Sequence, residues 1–345
     1  MIIAICGTGY SGSSAVTDYL RGSNELSVCP YDIEFMFLYD VDGIDDLKHH
    51  IVDRPVRYYS SDAALKRYEK YIKDICSPNS MIHKLCGKKI IELTHDYIDS
   101  LTQLSWKGWW HFDVRTSKTF VHNFNFRFLA VLNRFFKKIG GKGFNIYSKS
   151  KMRLSLINNT DFMTITRKYV MKIVDLFNVD KKSNVVLDFP FPFGQMDYYK
   201  KYFNDNIKTI NIVRDPRDTY IIAKRIAGSF GSWIPTDNVF DFINYYKLLC
   251  SKKIISASKE ELLINFEDLI YDYDNVSSII NNFLGLQKKI KSVSFDPKKS
   301  INNTQLFLKY PEYSKDVSII EKELKEYLYD FDKFEQKPSF DDNSF

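Results

Sequence analysis

The first twelve residues limit the fold more than anything that follows. Met1-Ile-Ile-Ala-Ile-Cys6 is an unbroken apolar, β-prone run. A run without polar alternation is the pattern of a strand buried on both faces, as in a parallel sheet covered on each side by helices. It ends in Gly7-Thr-Gly-Tyr-Ser-Gly12. From Ser13 the apolar residues Ala15, Val16, Tyr19 and Leu20 recur at helical spacing, and Gly22 follows as a stop. A glycine turn between a buried strand and a helix offers several backbone N–H groups and the positive end of a helix dipole. That combination suits a phosphate.

The same rhythm returns later. Leu26-Ser-Val-Cys29 reads as a short second strand closed by Pro30. After Asn184, strands are expected at Val185–Asp188, Ile207–Val213 and Leu262–Asn265. Helices are expected between and after them, over about Pro216–Ala227, Val239–Ile255, Asn275–Leu284 and Val317–Phe331. Residues 44–183 instead carry amphipathic helices (Ser61–Ile75, Thr94–Leu104, Phe126–Ile139, Arg167–Phe177) joined by aromatic-rich connectors. The predicted fold is α/β: a parallel sheet flanked by helices on both faces, with a large helical insertion at about 44–183. It is expected as one domain over 1–336 with a flexible tail at 337–345.

Composition removes several function classes. Lys plus Arg number 49 against 43 Asp plus Glu, a net +6 spread along the chain, which suits an anionic ligand without requiring one. The longest basic cluster, Arg134 to Lys142, reads more readily as a solvated helix face than as a nucleic-acid stripe, so no nucleic-acid partner is expected. The five cysteines are widely spaced and lack a CxxC pair, so buried reduced thiols are expected and a zinc site is not. No signal peptide or apolar span is apparent, so a cytoplasmic protein with no integral membrane segment is expected. His49, His50, His83, His95, His111 and His122 all fall in the insertion, where lone histidines read as surface or packing residues.

A nucleotide-hydrolysing loop would read G-x-x-x-x-G-K-[ST]; here Gly7, Gly12 and Ser14 fit, but Ser13 stands where the lysine should be. Tyr10-Ser11-Gly12-Ser13-Ser14 instead resembles the donor loop of the PAPS-dependent sulfotransferases, commonly [KR]-S-G-[ST]-[ST]. The match departs at Tyr10, where that family has a cation. Strand Ile210–Val213 followed by Arg214-Asp215-Pro216-Arg217-Asp218 is similar to the family's 3′-phosphate motif, with Ile222 in place of its usual serine. Lys298-Lys299-Ser300-Ile301-Asn302-Asn303 resembles its late basic loop, and Asn265-Phe-Glu-Asp-Leu269 a stretch that is structural in the family. The resemblance runs in family order over about 1–43 and 184–331.

It implies a PAPS-dependent sulfotransferase with a P-loop-type sheet, needing no metal. Gly9, Tyr10, Ser11, Gly12, Ser13, Ser14, Arg214, Lys298 and Lys299 would bind the nucleotide donor. Sulfuryl transfer needs a base near the incoming oxygen. Glu34, just after the second strand, and Asp188, at the end of another strand, are the candidates. Glu34 is favoured as base, and Asp188 as base or acceptor-orienting group. Trp106, Trp109, Trp110 and His111, with Lys137, Lys138, Lys142, Lys149, Lys151 and Arg153, supply rings and cations suited to a glycan acceptor. Lipid, phenol and peptide tyrosine acceptors stay open. A catalytically silent glycan- or nucleotide-binding relative and a P-loop kinase-like phosphotransferase are the rival readings.

Overall fold

A computed structural model of the chain describes residues 1–110, 112, 119–143, 150–203, 206–230, 233–251, 258–292 and 294–340. Its contacts gather into two compact units, Met1–Leu38 with Val170–Phe345, and Tyr39–Tyr169. The described strands are β1 (Ile2–Gly7), β2 (Leu26–Val28), β3 (Leu104–Gly108), β4 (Ser150–Leu154), β5 (Asn184–Asp188), β6 (Ile207–Val213) and β7 (Glu261–Asn265).

The first unit holds an α/β sheet of order β2-β5-β1-β6-β7 in which every pairing is parallel. All six residues of β1 are buried, as their unbroken apolar run requires of a central strand. Ile3 and Ile5 face a core shared with Ile210 and Ile212 of β6, with Val16 and Leu20 of the helix Ser13–Leu20, and with Ile280 and Leu284 of the helix Tyr273–Leu284. On the opposite pleat Cys6 donates its Sγ–H to the Phe191 carbonyl at 3.2 Å. Full burial of each such Ile or Leu is worth roughly 1.5–3 kcal/mol. A second core joins Tyr220 and Ile221 of the helix Pro216–Phe230 to Phe242 and Tyr246 of the helix Val239–Ser251 and to Ile320 of the helix Ser314–Glu323.

Because the strands are parallel, all their carboxyl ends lie along one edge. Register places Ile5 beside both Asp188 and Ile210, and Gly7 beside Ile212. The glycine turn, Asp188 and Arg214 therefore leave three adjacent strands at the same edge. β1 lies between the two strands where the order reverses, the place where ligands of open α/β sheets gather.

Near the C-terminus the sequence periodicity predicts one helix over Val317–Phe331, and the structure differs. The helix stops at Glu323, and Leu328 and Asp330 are extended. The extension lets the Tyr329 N–H reach Asp215 Oδ2 at 2.9 Å and its hydroxyl reach Asp268 Oδ1 at 2.6 Å. Satisfying two buried or half-buried carboxylates outweighs a weak helical preference. The tail is described to residue 340, with the Ser339 N–H donating to Asn302 Oδ1 at 3.1 Å; 341–345 lie outside the described residues.

The second unit is built on helices at Arg57–Ile75, Lys89–Leu101 and Thr119–Lys138. Its core is tyrosine-rich: Tyr97 and Tyr169 stack at 4.1 Å, and their hydroxyls pair with Thr166 (2.8 Å) and Thr94 (2.7 Å). It also contains an antiparallel ribbon of β3 and β4 that periodicity does not show, with Trp106 opposite Met152. Among the ribbon's ten residues only Met152 is buried, so no alternation marks it in the sequence. Buried Asp62 anchors it by accepting the Arg153 N–H at 2.8 Å and pairing with Lys66 at 2.8 Å.

Candidate functional site

The glycine turn is tight and sterically specified. Gly12 is left-handed (φ 83°, ψ 24°) at the start of the helix Ser13–Leu20, and Tyr10 is also at positive φ (58°). A Cβ on Gly12 would lie 2.4 Å from the Phe266 ring, and one on Gly9 would lie 2.2 Å from the Trp233 ring. The Ser11 N–H closes the turn on the Thr8 carbonyl at 3.0 Å. No side chain caps the helix; the Ala15 N–H turns back to the Gly12 carbonyl at 3.0 Å, which leaves the N–H groups of Ser13 and Ser14 as the turn's donors. Thr8 Oγ1 and Ser11 Oγ are buried in the same turn with no protein partner. Buried polar atoms are normally paired, so this set of donors fits an anion of phosphate type.

Arg214 leaves the end of β6 directly beside that turn. It is 6% exposed, stacks over Phe266 at 4.6 Å, and donates from one terminal nitrogen to the Tyr10 carbonyl at 3.3 Å. The other terminal nitrogen donates to the Asn303 carbonyl, and Nε has no partner. The turn and the arginine thus touch. Burial pulls the guanidinium below its ordinary range, opposed by the charges of Asp218, Glu267 and Asp215.

A buried network fixes Arg214 from behind. Arg217 grips Asp215 through Nε and a terminal nitrogen (3.0 and 2.7 Å) and reaches Glu321 at 3.0 Å. Glu267 Oε1 accepts the Asp215 N–H at 2.9 Å, and burial pushes the Glu267 carboxyl up to about 8. Asp218, its carboxyl also raised by burial, accepts the N–H groups of Gln305 (2.9 Å) and Leu306 (2.7 Å). Asp218 thereby ties down the segment that carries Asn303. The motif's acidic residues serve this buried framework, which its spacing alone does not reveal.

Glu34 and Asp188, far apart in sequence, are brought together. An isolated parallel bridge joins them, and the Phe35 N–H donates to the Asp188 carbonyl at 2.7 Å. The Asp188 carboxyl is pushed up to about 7, first by burial and then by the negative charges of Glu34 and Asp32. One of its oxygens is buried without a partner. Glu34 is the exposed member, its carboxyl raised by partial desolvation. Nearby, Arg21 pairs with Asp18 and, at 3.0 Å, with Asp32. Phe189, next to Asp188, is held at positive φ (48°) while its N–H donates to the Ile5 carbonyl at 2.9 Å, turning the chain at the sheet edge.

The remaining expected residues divide. Ser13 and Ser14 form the first helical turn. Lys298 and Lys299 are exposed on the short helix Pro297–Ser300, just before the segment that contacts Arg214. Tyr10 and Ile222, the two departures from the family pattern, pack against one apolar cluster, where Tyr10 also stacks on the exposed Trp233 at 6.0 Å. In the second unit Trp106 is exposed, while Arg153 and Lys151 are spent on Glu69 and Asp99 (both 3.1 Å). His111 and Lys149 lie outside the described residues. Among the described residues no group of three or more His, Cys, Asp or Glu is placed to hold a metal ion.

No family model and no curated protein matches the sequence. Among solved structures, the chain is similar to the sulfotransferase domain of the olefin synthase of Synechococcus PCC 7002, with a TM-score of 0.38 and 13% identity over 86% of this chain and 77% of that one. It is similar also to the sulfotransferase domain of the curacin biosynthetic pathway, with a TM-score of 0.38 and 11% identity over 86% and 78%. Likeness this slight carries no inference, and function is drawn from the chain's own residues.

Proposed function

We propose that the chain is a sulfotransferase that moves a sulfuryl group from PAPS to an acceptor hydroxyl or amine. The observation that carries this reading is the convergence, on one edge of a parallel sheet, of three parts. They are an uncapped glycine turn with unpartnered buried hydroxyls, a buried arginine touching that turn, and a carboxyl held near neutrality one strand away. The turn at Gly9–Ser14 would hold the 5′-phosphosulfate through backbone N–H groups, and Arg214 would hold the 3′-phosphate, with Lys298 and Lys299 beside it.

The donor supplies a sulfuryl group on a phosphate leaving group. The acceptor oxygen or nitrogen attacks sulfur, a new S–O or S–N bond forms, and the S–O bond to phosphate breaks with its electron pair leaving on 3′-phosphoadenosine 5′-phosphate. The acceptor proton passes to a carboxylate. Asp188, half-buried with one oxygen buried and unpartnered, takes the base's place in preference to Glu34, while exposed Glu34 keeps the Asp188 carboxyl high by charge. A glycan hydroxyl is the acceptor class to try first.

A second reading has its own observation. Tyr10 offers a ring in place of a cation, and Arg214 already donates to the carbonyls of Tyr10 and Asn303, as would suit a silent binding relative. Incubation with radiolabelled PAPS and a panel of sugars, phenols and amines separates the two. Label appearing in an acceptor, and lost in Asp188→Asn, supports transfer; nucleotide binding with no labelled product from any acceptor class supports the silent relative.

A further inference from the structure

The basic cluster at Arg134–Lys142 begins in a helix, Thr119–Lys138, that the site does not use. From Thr119 to Gly143 the chain carries Arg127, Arg134, Lys137, Lys138 and Lys142 and no Asp or Glu. Within this stretch the helix Thr119–Lys138 exposes Phe124, Phe128, Val131 and Phe135, each more than half, and Phe136 to 45% on another side of the helix. At about 100° per residue, Phe124, Phe128, Val131 and Phe135 fall within about 60° of arc. Arg127, Arg134 and Lys138 lie in a ridge of about 40° beside them. All three cations are exposed.

We infer that this helix lies flat on an anionic lipid surface, with its phenylalanine stripe in the acyl boundary and its cationic ridge on the headgroups. Three observations select that occupant. The stripe is aromatic and aliphatic with basic residues and no acidic ones, the composition of an interfacial helix. Cations within the helix, Arg127 and Arg134, suit a place in the interface plane and not across it, and no described helix is long and apolar enough to cross a membrane. A second copy of the chain would set Arg127, Arg134 and Lys138 against the same residues, with no acidic partner on either helix to pair them. The inference concerns the second unit alone and does not depend on the sulfuryl-transfer reading.

The test is cosedimentation of the full chain with vesicles of phosphatidylcholine alone and of phosphatidylcholine mixed with phosphatidylglycerol. The expected result is at least about tenfold stronger binding to the anionic vesicles, falling with added salt. Phe128→Gln with Phe135→Gln, and separately Arg134→Gln with Lys138→Gln, should each lower that binding by at least about tenfold. These side chains are exposed, so the melting temperature and far-UV dichroism should match wild type. Absence of wild-type binding to anionic vesicles, or equal binding to neutral ones, overturns the inference without reference to any variant. So does binding that survives the phenylalanine changes, since a purely ionic contact needs no stripe. A dimer in lipid-free sedimentation velocity that the phenylalanine changes dissociate would assign the face to a second copy and likewise overturn it.

Discussion

Replacing Asp188 by asparagine separates a base from the fold that pays to hold it. The carboxyl is raised from an ordinary 3.8 to about 7, first by burial and then by Glu34 and Asp32. An unfolded chain releases this proton near 3.8, whereas the folded chain keeps it until about 7. Between those values the folded state binds more protons, so its stability falls as pH rises and levels off above about 7. About three powers of ten in proton affinity correspond to roughly 4 kcal/mol, an upper bound for what the ionised carboxylate costs the fold. Asp188→Asn removes the cost while keeping shape, and the main-chain bond from the Phe35 N–H to the residue 188 carbonyl is untouched. Urea denaturation should therefore show the variant more stable than wild type at about pH 8, with a margin about 2–3 kcal/mol larger than at about pH 5. In the transfer assay the same variant should lose at least about 10²-fold in turnover, and wild-type kcat/KM should rise to a plateau through about pH 7. A variant less stable than wild type at both pH values, or an equal margin at both, would refute the assignment of a half-buried, raised carboxyl.

Glu34→Gln removes a negative charge that helps to raise the Asp188 carboxyl, so the acid limb of the pH profile should move to lower pH while plateau turnover changes less than in Asp188→Asn. An unmoved limb would separate the two carboxylates electrostatically. Gly12→Ala places a Cβ at φ 83° and 2.4 Å from Phe266, so thermal melting should report a loss of at least about 1–3 kcal/mol; a neutral effect would contradict the turn geometry. Arg217→Ala strips buried Asp215 of its bidentate partner and should cost about 3–5 kcal/mol in denaturant titrations. Tyr10→Lys restores the cation of the family pattern and should tighten donor binding by about 10- to 100-fold in calorimetry, with no gain if the ring's place cannot serve the donor.

What the sequence discloses and what it hides divide along physical lines. β1 and its turn are legible because a double-sided buried strand admits no polar residue and the turn that follows admits only glycine at Gly12. The β6 end is legible because Arg214 and a proline start a helix at a strand's edge. The pairing of Glu34 with Asp188 is not, since 153 residues separate the bridge partners and only the sheet order brings them together. Nor does the spacing of Asp215 and Asp218 reveal that they hold Tyr329 and the 305–306 backbone, which decides where the last helix stops. The β3–β4 ribbon escapes notice for a different reason: with Met152 alone buried, it has no apolar face to read.

The most direct test is a calorimetric titration with 3′-phosphoadenosine 5′-phosphate, on wild type and on Arg214→Ala, with magnesium ATP as the comparison nucleotide. If turn and arginine grip one doubly phosphorylated adenosine, wild type binds it at one site and prefers it to ATP. Arg214→Ala then weakens binding by about 10- to 100-fold, the value of a charge-assisted hydrogen bond. No heat of binding with wild type, an affinity untouched by Arg214→Ala, or a preference for magnesium ATP would contradict the account.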